Sequence, residues 1–329
     1  MVPPDRVRKY DERDVRIRAT RGTRARSKDR PTFTGTFPAL VTQVDRGRIT
    51  CETDDGLVVV AIKARDLGRK GVVVGDRAQL VGDSNQDPNS LARIVAISER
   101  SNVLTRTADD DDPTERIIVA NLDLMVIVVA CANPEPRSGL VDRCLAAAFD
   151  AGIEPVLLMT KADLASPESF LSSYRSLPLT VLSVQKGADL GPLRALLAGK
   201  TSVFIGHSGV GKSTLVNALI PAAMRATGEV NEVTGRGRHT SSSAVALRLP
   251  TGGWLIDTPG VRSFGLAHLN PERIIAAFDD IVEVISQCPR GCDHESDECA
   301  LTAWAASDSA HAERVDSLRR LLASPRQSY

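Results

Sequence analysis

Eight consecutive residues, Gly206-His207-Ser208-Gly209-Val210-Gly211-Lys212-Ser213, spell GxxxxGK[ST] between an apolar stretch and an amphipathic one. That spelling suits the phosphates of a nucleoside triphosphate. Glycines let successive backbone N–H groups converge on phosphate oxygens, a lysine such as Lys212 meets the β- and γ-phosphates, and a hydroxyl such as that of Ser213 ligates magnesium. The context predicts a strand over 202–205 and a helix over 214–219, with Thr214 beside the nucleotide.

Base identity is carried by a group that precedes this loop. Val156-Leu157-Leu158-Met159 runs into Thr160-Lys161-Ala162-Asp163, an apolar strand ending in TKxD, which is similar to the NKxD guanine motif. The Asp163 carboxylate suits guanine N1–H and the exocyclic amine, two donors that adenine does not present together, while the Lys161 stem covers the ring. Thr160 stands where asparagine is usual, which predicts weaker guanine binding. A second apolar stretch ends in Ser183-Val184-Gln185, suited to the loop that closes over the guanine carbonyl.

Downstream, Trp254-Leu255-Ile256 leads into Asp257-Thr258-Pro259-Gly260, a strand ending in DxxG. Here Asp257 holds magnesium through water and the Gly260 amide senses a γ-phosphate. In the intervening loop Gly235-Arg236-Gly237-Arg238-His239-Thr240-Ser241, a hydroxyl should complete the magnesium shell; Thr240 is the first choice and Ser241 competes. The residue after DxxG is Val261, where many GTPases carry a water-orienting glutamine. His239 is the catalytic candidate for that work, against a reading in which it packs or contacts RNA. The order is therefore base motif, base loop, phosphate loop, switch threonine, DxxG. An ordinary GTPase begins with the phosphate loop, so the domain reads as circularly permuted, a rotation that neighbouring termini permit.

Positioning these groups requires buried strands alternating with helices. Apolar runs at 124–132, 155–159, 179–184 and 203–205, with helices over 138–151 and 190–197, predict a parallel sheet covered on both faces. Ahead of it, short stretches at 36–44, 48–53, 57–62, 77–81 and 92–97 predict a five-stranded OB-like barrel. Its breaks at Gly47, Gly56, Gly71 and Gly75 supply positive-φ turn positions. Such barrels commonly bind oligonucleotides, although a purely structural barrel is the plainer alternative. The acidic run at 109–112 followed by Pro113 predicts a linker over 98–116. Helices over 300–306 and 310–323 end the chain.

Cys288, Cys292, His294 and Cys299 offer three thiolates and one imidazole, the ligand set of a closed structural zinc site, against a reading as reduced surface thiols. Cys51, Cys131 and Cys144 stand alone, and nothing requires disulfides.

At 329 residues the chain has room for two to three domains of about 150 residues each. Apolar residues make up 42% and charged residues 25%, an ordinary globular composition. No run approaches the about 18 apolar residues of a membrane span, and the charged N-terminus lacks a secretory h-region, so the expectation is a cytoplasmic protein. Net charge is zero, yet residues 1–34 hold eleven Lys or Arg against five Asp or Glu. That basic arm either neutralises nucleic-acid phosphates or is merely solvated.

Together GHSGVGKS, GRGRHTS, DTPGVRSFGL, TKAD, the preceding barrel and the trailing Cys/His cluster resemble the circularly permuted, ribosome small-subunit-dependent GTPases of the RsgA or YjeQ family. The resemblance spans nearly the whole chain, although the zinc-ligand intervals are shorter than the family pattern. After the basic flexible tail expected at 1–34 from its charge, it implies an OB-like β-barrel at 35–99, and a linker with a circularly permuted α/β P-loop GTPase domain at 100–267. A helical zinc-binding domain follows at 268–329. It further implies magnesium with GTP, one structural zinc, and a monomer that engages the small (30S) subunit and its 16S rRNA late in maturation. GTP hydrolysis to GDP and phosphate would then promote release, and no membrane is involved. The alternatives are an RNA-binding scaffold with a vestigial nucleotide site, and a GTPase of another trafficking pathway.

Overall fold

The computed structural model describes residues 35–45, 47–67, 71–82, 91–109, 112–221, 244–258 and 269–323. The basic tail, the 235–241 loop with His239, Thr240 and Ser241, and Gly260 with Val261 lie outside the described residues.

Alternating apolar and polar residues build the first layer. Strands β1 (Phe37–Asp45), β2 (Arg48–Glu52), β3 (Val58–Lys63), β4 (Arg77–Val81) and β5 (Ala92–Ile97) run in the order β1-β2-β3-β5-β4, and β4 pairs back onto β1 to close an OB-like barrel. The inward residues, among them Val41, Ile49, Cys51, Ala61, Leu80 and Ile94, form its core. Burial pushes the Cys51 thiol up to about 12, so this cysteine is a small hydrophobe rather than a nucleophile. Gly47, Gly56 and Gly75 take positive φ as the turns require, whereas Gly71 does not. At Gly75 a Cβ would lie 2.1 Å from the Ala120 carbonyl oxygen, so only glycine lets the barrel approach the next element this closely.

That element corrects the expected linker. The chain pairs β6 (Val103–Asp109) antiparallel with β7 (Asp112–Ala120), leaving the acidic run at the hairpin end. Leu104 and Val119 are buried in the main core, and their burial decides the conformation where composition suggested a solvated connector.

The second layer is a sheet of β8 (Leu124–Ala130), β9 (Glu154–Thr160), β10 (Thr180–Ser183), β11 (Thr201–Ile205), β12 (Val245–Arg248) and β13 (Trp254–Asp257). Its order is β10-β9-β8-β11-β13-β12, parallel except for β12, and β12 continues into β1 of the barrel. β8 is buried on both faces. Met125, Ile127 and Val129 point into one core, and Leu124, Val126 and Val128 into the other. Helices α1 (Ser138–Ala151), α2 (Glu168–Leu171), α3 (Gly191–Leu197) and α4 (Lys212–Leu219) connect the strands. α3 and α4 cover the second face through Leu193, Leu197, Leu215 and Leu219.

α1 covers the first face together with α5 (Pro271–Ile275), α6 (Asp279–Ile285), α7 (Ala300–Ala305) and α8 (Ser309–Ala323). These C-terminal helices share one apolar core with the sheet, through Ile274, Phe278, Leu301, Leu318 and Leu321. α8 also holds the segment between β9 and β10. Arg320 donates to Asp142 on α1 at 3.2 Å and to the Ser173 carbonyl at 2.8 Å, and lies 5.1 Å over the Tyr174 ring. Arg314 donates to both oxygens of Asp280, stacks on Phe278 and donates to the Ser176 carbonyl.

Candidate nucleotide and metal sites

Three strand ends converge to form the first site. β11 runs into the phosphate loop, where Gly209 and Gly211 take φ of 81° and 99°, and α4 begins at Lys212, two residues earlier than the sequence suggests. A Cβ on Gly206 would stand 2.2 Å from the Val128 carbonyl oxygen, so the loop packs onto β8 only as glycine. Val210 is buried and anchors the loop, His207 is half-buried, and Ser208, Ser213 and Thr214 are exposed along its rim and the first turn of α4.

Lys212 Nζ donates to the carbonyls of Gly206 and His207, the latter at 2.7 Å. Burial lowers the Lys212 ammonium against the opposing charge of Asp257, and burial raises the Asp257 carboxyl against Lys212 and the Thr258 N–H. Both charged forms are thus underserved by solvent, and an anionic phosphate with its cation is the kind of ligand that would compensate them.

Thr160 ends β9, and its side chain turns inward. Its buried Oγ1 lies 2.6 Å from the Val210 carbonyl oxygen, to which it donates, with the Val129 carbonyl at 3.3 Å. The residue therefore ties the strand of the base motif to the phosphate loop. Lys161 follows in the left-handed region at φ 56°, its Nζ donating to the Asn133 carbonyl, and Asp163 stands exposed beyond it. They open onto a cleft of about 750 Å³ that Gln185, Lys186, Ala188, Val210 and Thr214 also line. Ser183 is not among the cleft residues. It pairs in register with Met159, and the wall starts one residue later at Val184, whose N–H donates to the Met159 carbonyl at 2.8 Å.

Away from the cleft, Cys288, Cys292, His294 and Cys299 bring their ligand atoms within 4.8 Å of one another. Cys288 Sγ lies 3.7 Å from Cys299 Sγ, and His294 Nδ1 lies 3.9 Å from both. A thiolate pair on tetrahedral zinc with bonds of ~2.3 Å stands ~3.8 Å apart, whereas a disulfide needs ~2.05 Å, so the spacing fits a metal. The short intervals close because Gly291 and His294 take φ of 76° and 64°, and Arg319 holds the turn by donating to the His294 carbonyl at 2.9 Å.

A family model described as RsgA GTPase matches residues 97–267. A protein of Pseudomonas fluorescens named small ribosomal subunit biogenesis GTPase RsgA is 40% identical over 247 residues, covering 72% of this chain and 71% of the relative. The protein of the same name from Pseudomonas syringae pv. tomato is 39% identical over 269 residues, 78% of this chain and 76% of its own. The chain belongs to the RsgA GTPase family. Among solved structures, YjeQ from Thermotoga maritima superposes with a TM-score of 0.64 at 24% identity, over 87% of this chain and 99% of that one. YloQ, described as a circularly permuted GTPase, gives 0.63 at 21%, over 90% and 98%. In this RsgA GTPase the strand that ends in TKAD, β9, precedes the phosphate-loop strand β11, a circularly permuted order.

Sequence reading did not find Lys186, Asp189 and Arg194, which also line the cleft. The pattern Asp189-Leu190-Gly191-Pro192 carried a signal, since Asp189 Oδ1 accepts from the Gly191 N–H at 2.9 Å and turns the chain into α3.

Proposed function

We propose that this RsgA GTPase binds the small ribosomal subunit, assists its late maturation, and hydrolyses GTP to GDP and phosphate to leave it. The observation that carries the nucleotide half is the phosphate-loop turn, with half-buried Lys212 at the start of α4, next to a cleft that Lys161, Asp163, Gly211 and Thr214 line together. The partner half rests on the relatives' shared name. Lys212 and the loop from Gly206 to Gly211 receive the phosphates, with His207 and Ser208 on its rim. Ser213 and Asp257, joined by Thr240, hold magnesium, which neutralises phosphate charge when bound. Asp163 reads guanine, Lys161 and Thr214 flank the nucleoside, Thr160 fixes the phosphate loop, Ser183 leads into the base loop, and Gly260 senses the γ-phosphate. His239 positions the attacking water.

The cluster of Cys288, Cys292, His294 and Cys299 holds one structural zinc, because four protein ligands close a tetrahedron and leave no position for substrate. We assign residues 1–34 to a basic arm, 35–99 to the barrel, 100–267 to the GTPase domain and 268–329 to the zinc-binding part. The arm and barrel contact 16S rRNA, and the protein works as a cytoplasmic monomer. No helix among the described residues is long and apolar enough to cross a membrane. Cosedimentation tests the partner. The protein should pellet with small subunits in the presence of a non-hydrolysable GTP analogue and be released with GDP; equal pelleting with large subunits, or indifference to nucleotide, would overturn the reading.

A further inference from the structure

The barrel and the nucleotide site meet along one short strand. β12 has only four residues, Val245–Arg248, and both of its ends are attached to the barrel. At the site end, Val245 pairs with Gln43 of β1 on one side and with Asp257 of β13 on the other. The carboxylate of Asp257 thus sits two strands from the barrel, with a single backbone between. At the far end, Arg248 pairs in register with Trp254, which starts β13, and lies 5.0 Å from the centre of its ring. The same guanidinium crosses to the barrel, donating from Nε to Glu52 Oε1 at 2.6 Å and from a terminal nitrogen to the Thr53 carbonyl at 2.9 Å. One planar side chain therefore fastens the β12–β13 hairpin to the end of β2 and the turn after it. Short of the Gln43–Val245 pairing, no other bond between β12 and the barrel strands is as extensive among the described residues.

We propose that Arg248 is a positioning residue that couples the barrel to Asp257, so that a partner bound to the barrel adjusts the magnesium-holding carboxylate through the β12–β13 hairpin. The physical basis is rigidity. A hairpin held at both ends moves as one body with β1 and β2, and a hairpin held only at Val245 hinges about that pairing. A lysine cannot reproduce the clamp fully, because a point charge cannot serve carboxylate, carbonyl and ring face from one plane. Arg248 contacts neither cleft nor phosphate loop, so its removal leaves the nucleotide-binding groups in place.

The inference rests on the small-subunit reading for one of its two readouts, and the other is independent of it. In the full-length protein, Arg248→Ala should reduce subunit-stimulated GTP turnover about tenfold, inside the usual range of coupling between sites, while unstimulated turnover and GTP affinity stay within about twofold. Arg248→Lys should fall between, and Glu52→Gln should follow Arg248→Ala in direction. Hydrogen exchange supplies the second readout. Adding magnesium and a GTP analogue to the wild-type protein should slow exchange across 40–54, and in Arg248→Ala that response should vanish while barrel protection without nucleotide is retained. Wild-type stimulation together with a wild-type exchange response in Arg248→Ala would overturn the proposal. If subunits fail to stimulate even the wild-type protein, the partner reading falls, and the exchange response alone decides the clamp.

Discussion

Thr160 illustrates what a single side chain contributes beyond what its type suggests. From sequence, the replacement of asparagine by threonine in TKAD predicts weaker guanine binding, because the position adjoins the base-reading aspartate. In the structure Thr160 lines the cleft, and its buried hydroxyl is committed to the Val210 carbonyl at 2.6 Å. The buried hydroxyl thus does its work on the phosphate loop. Removing it leaves a buried carbonyl without its donor, a cost of about 1–3 kcal/mol. Thr160→Ala should therefore weaken GTP and GDP alike, by about 5- to 30-fold if 1–2 kcal/mol of that reaches binding, and leave the preference for GTP over ATP intact. Asp163→Ala should do the reverse, erasing the preference. Competition binding with GTP, GDP and ATP separates the two, and a Thr160→Ala protein that loses guanine selectivity would return the residue to the base. The orientation was not legible because it depends on Val210, fifty residues away in sequence, arriving beneath β9. The phosphate-loop turn and the cleft beside TKAD were legible, since glycines at fixed spacing set the local backbone and an apolar strand end sets where a motif emerges.

At the scale of elements, spacing was a good guide where an element's partners lie close in sequence. The barrel strands, α1 and the sheet strands fall within a few residues of expectation, and Cys288, Cys292, His294 and Cys299 converge into a cluster able to hold a metal. The failures involve long-range partners. The hairpin β6–β7 was hidden by its acidic end, because the burial of Leu104 and Val119 in the main core cannot be read from their neighbours. The union of the C-terminal helices with the sheet core was equally hidden, since Arg314 and Arg320 look like ordinary surface charges until Asp280 and Asp142 are placed beside them. These contacts shape the metal prediction. Structural zinc in such a cluster contributes on the order of 10 kcal/mol locally, so Cys292→Ala should lose the metal and melt the turn and α7. α8, held independently by its arginines and by Leu318 and Leu321 in the core, should stay helical, and GTP binding should persist. Metal analysis and hydrogen exchange check this; a variant with wild-type zinc content would remove Cys292 from the ligand set.

At the scale of the whole molecule, permutation has a structural consequence. The GTPase sheet is touched by two appended parts: the barrel pairs with β12, and the C-terminal helices share a core with its first face. The barrel joins at β12, beside Asp257, and α8 grips the 173–176 segment between the two base loops. A nucleotide bound there is positioned to report on what both parts touch. The central claim is that this geometry serves a GTPase driven by the small ribosomal subunit. Its most direct test is multiple-turnover GTP hydrolysis by the purified full-length protein alone, with small subunits and with large subunits, alongside Lys212→Ala. The account predicts slow turnover alone, marked acceleration by small subunits only, and no acceleration in Lys212→Ala. Turnover that ignores small subunits, or that responds equally to large ones, would contradict it.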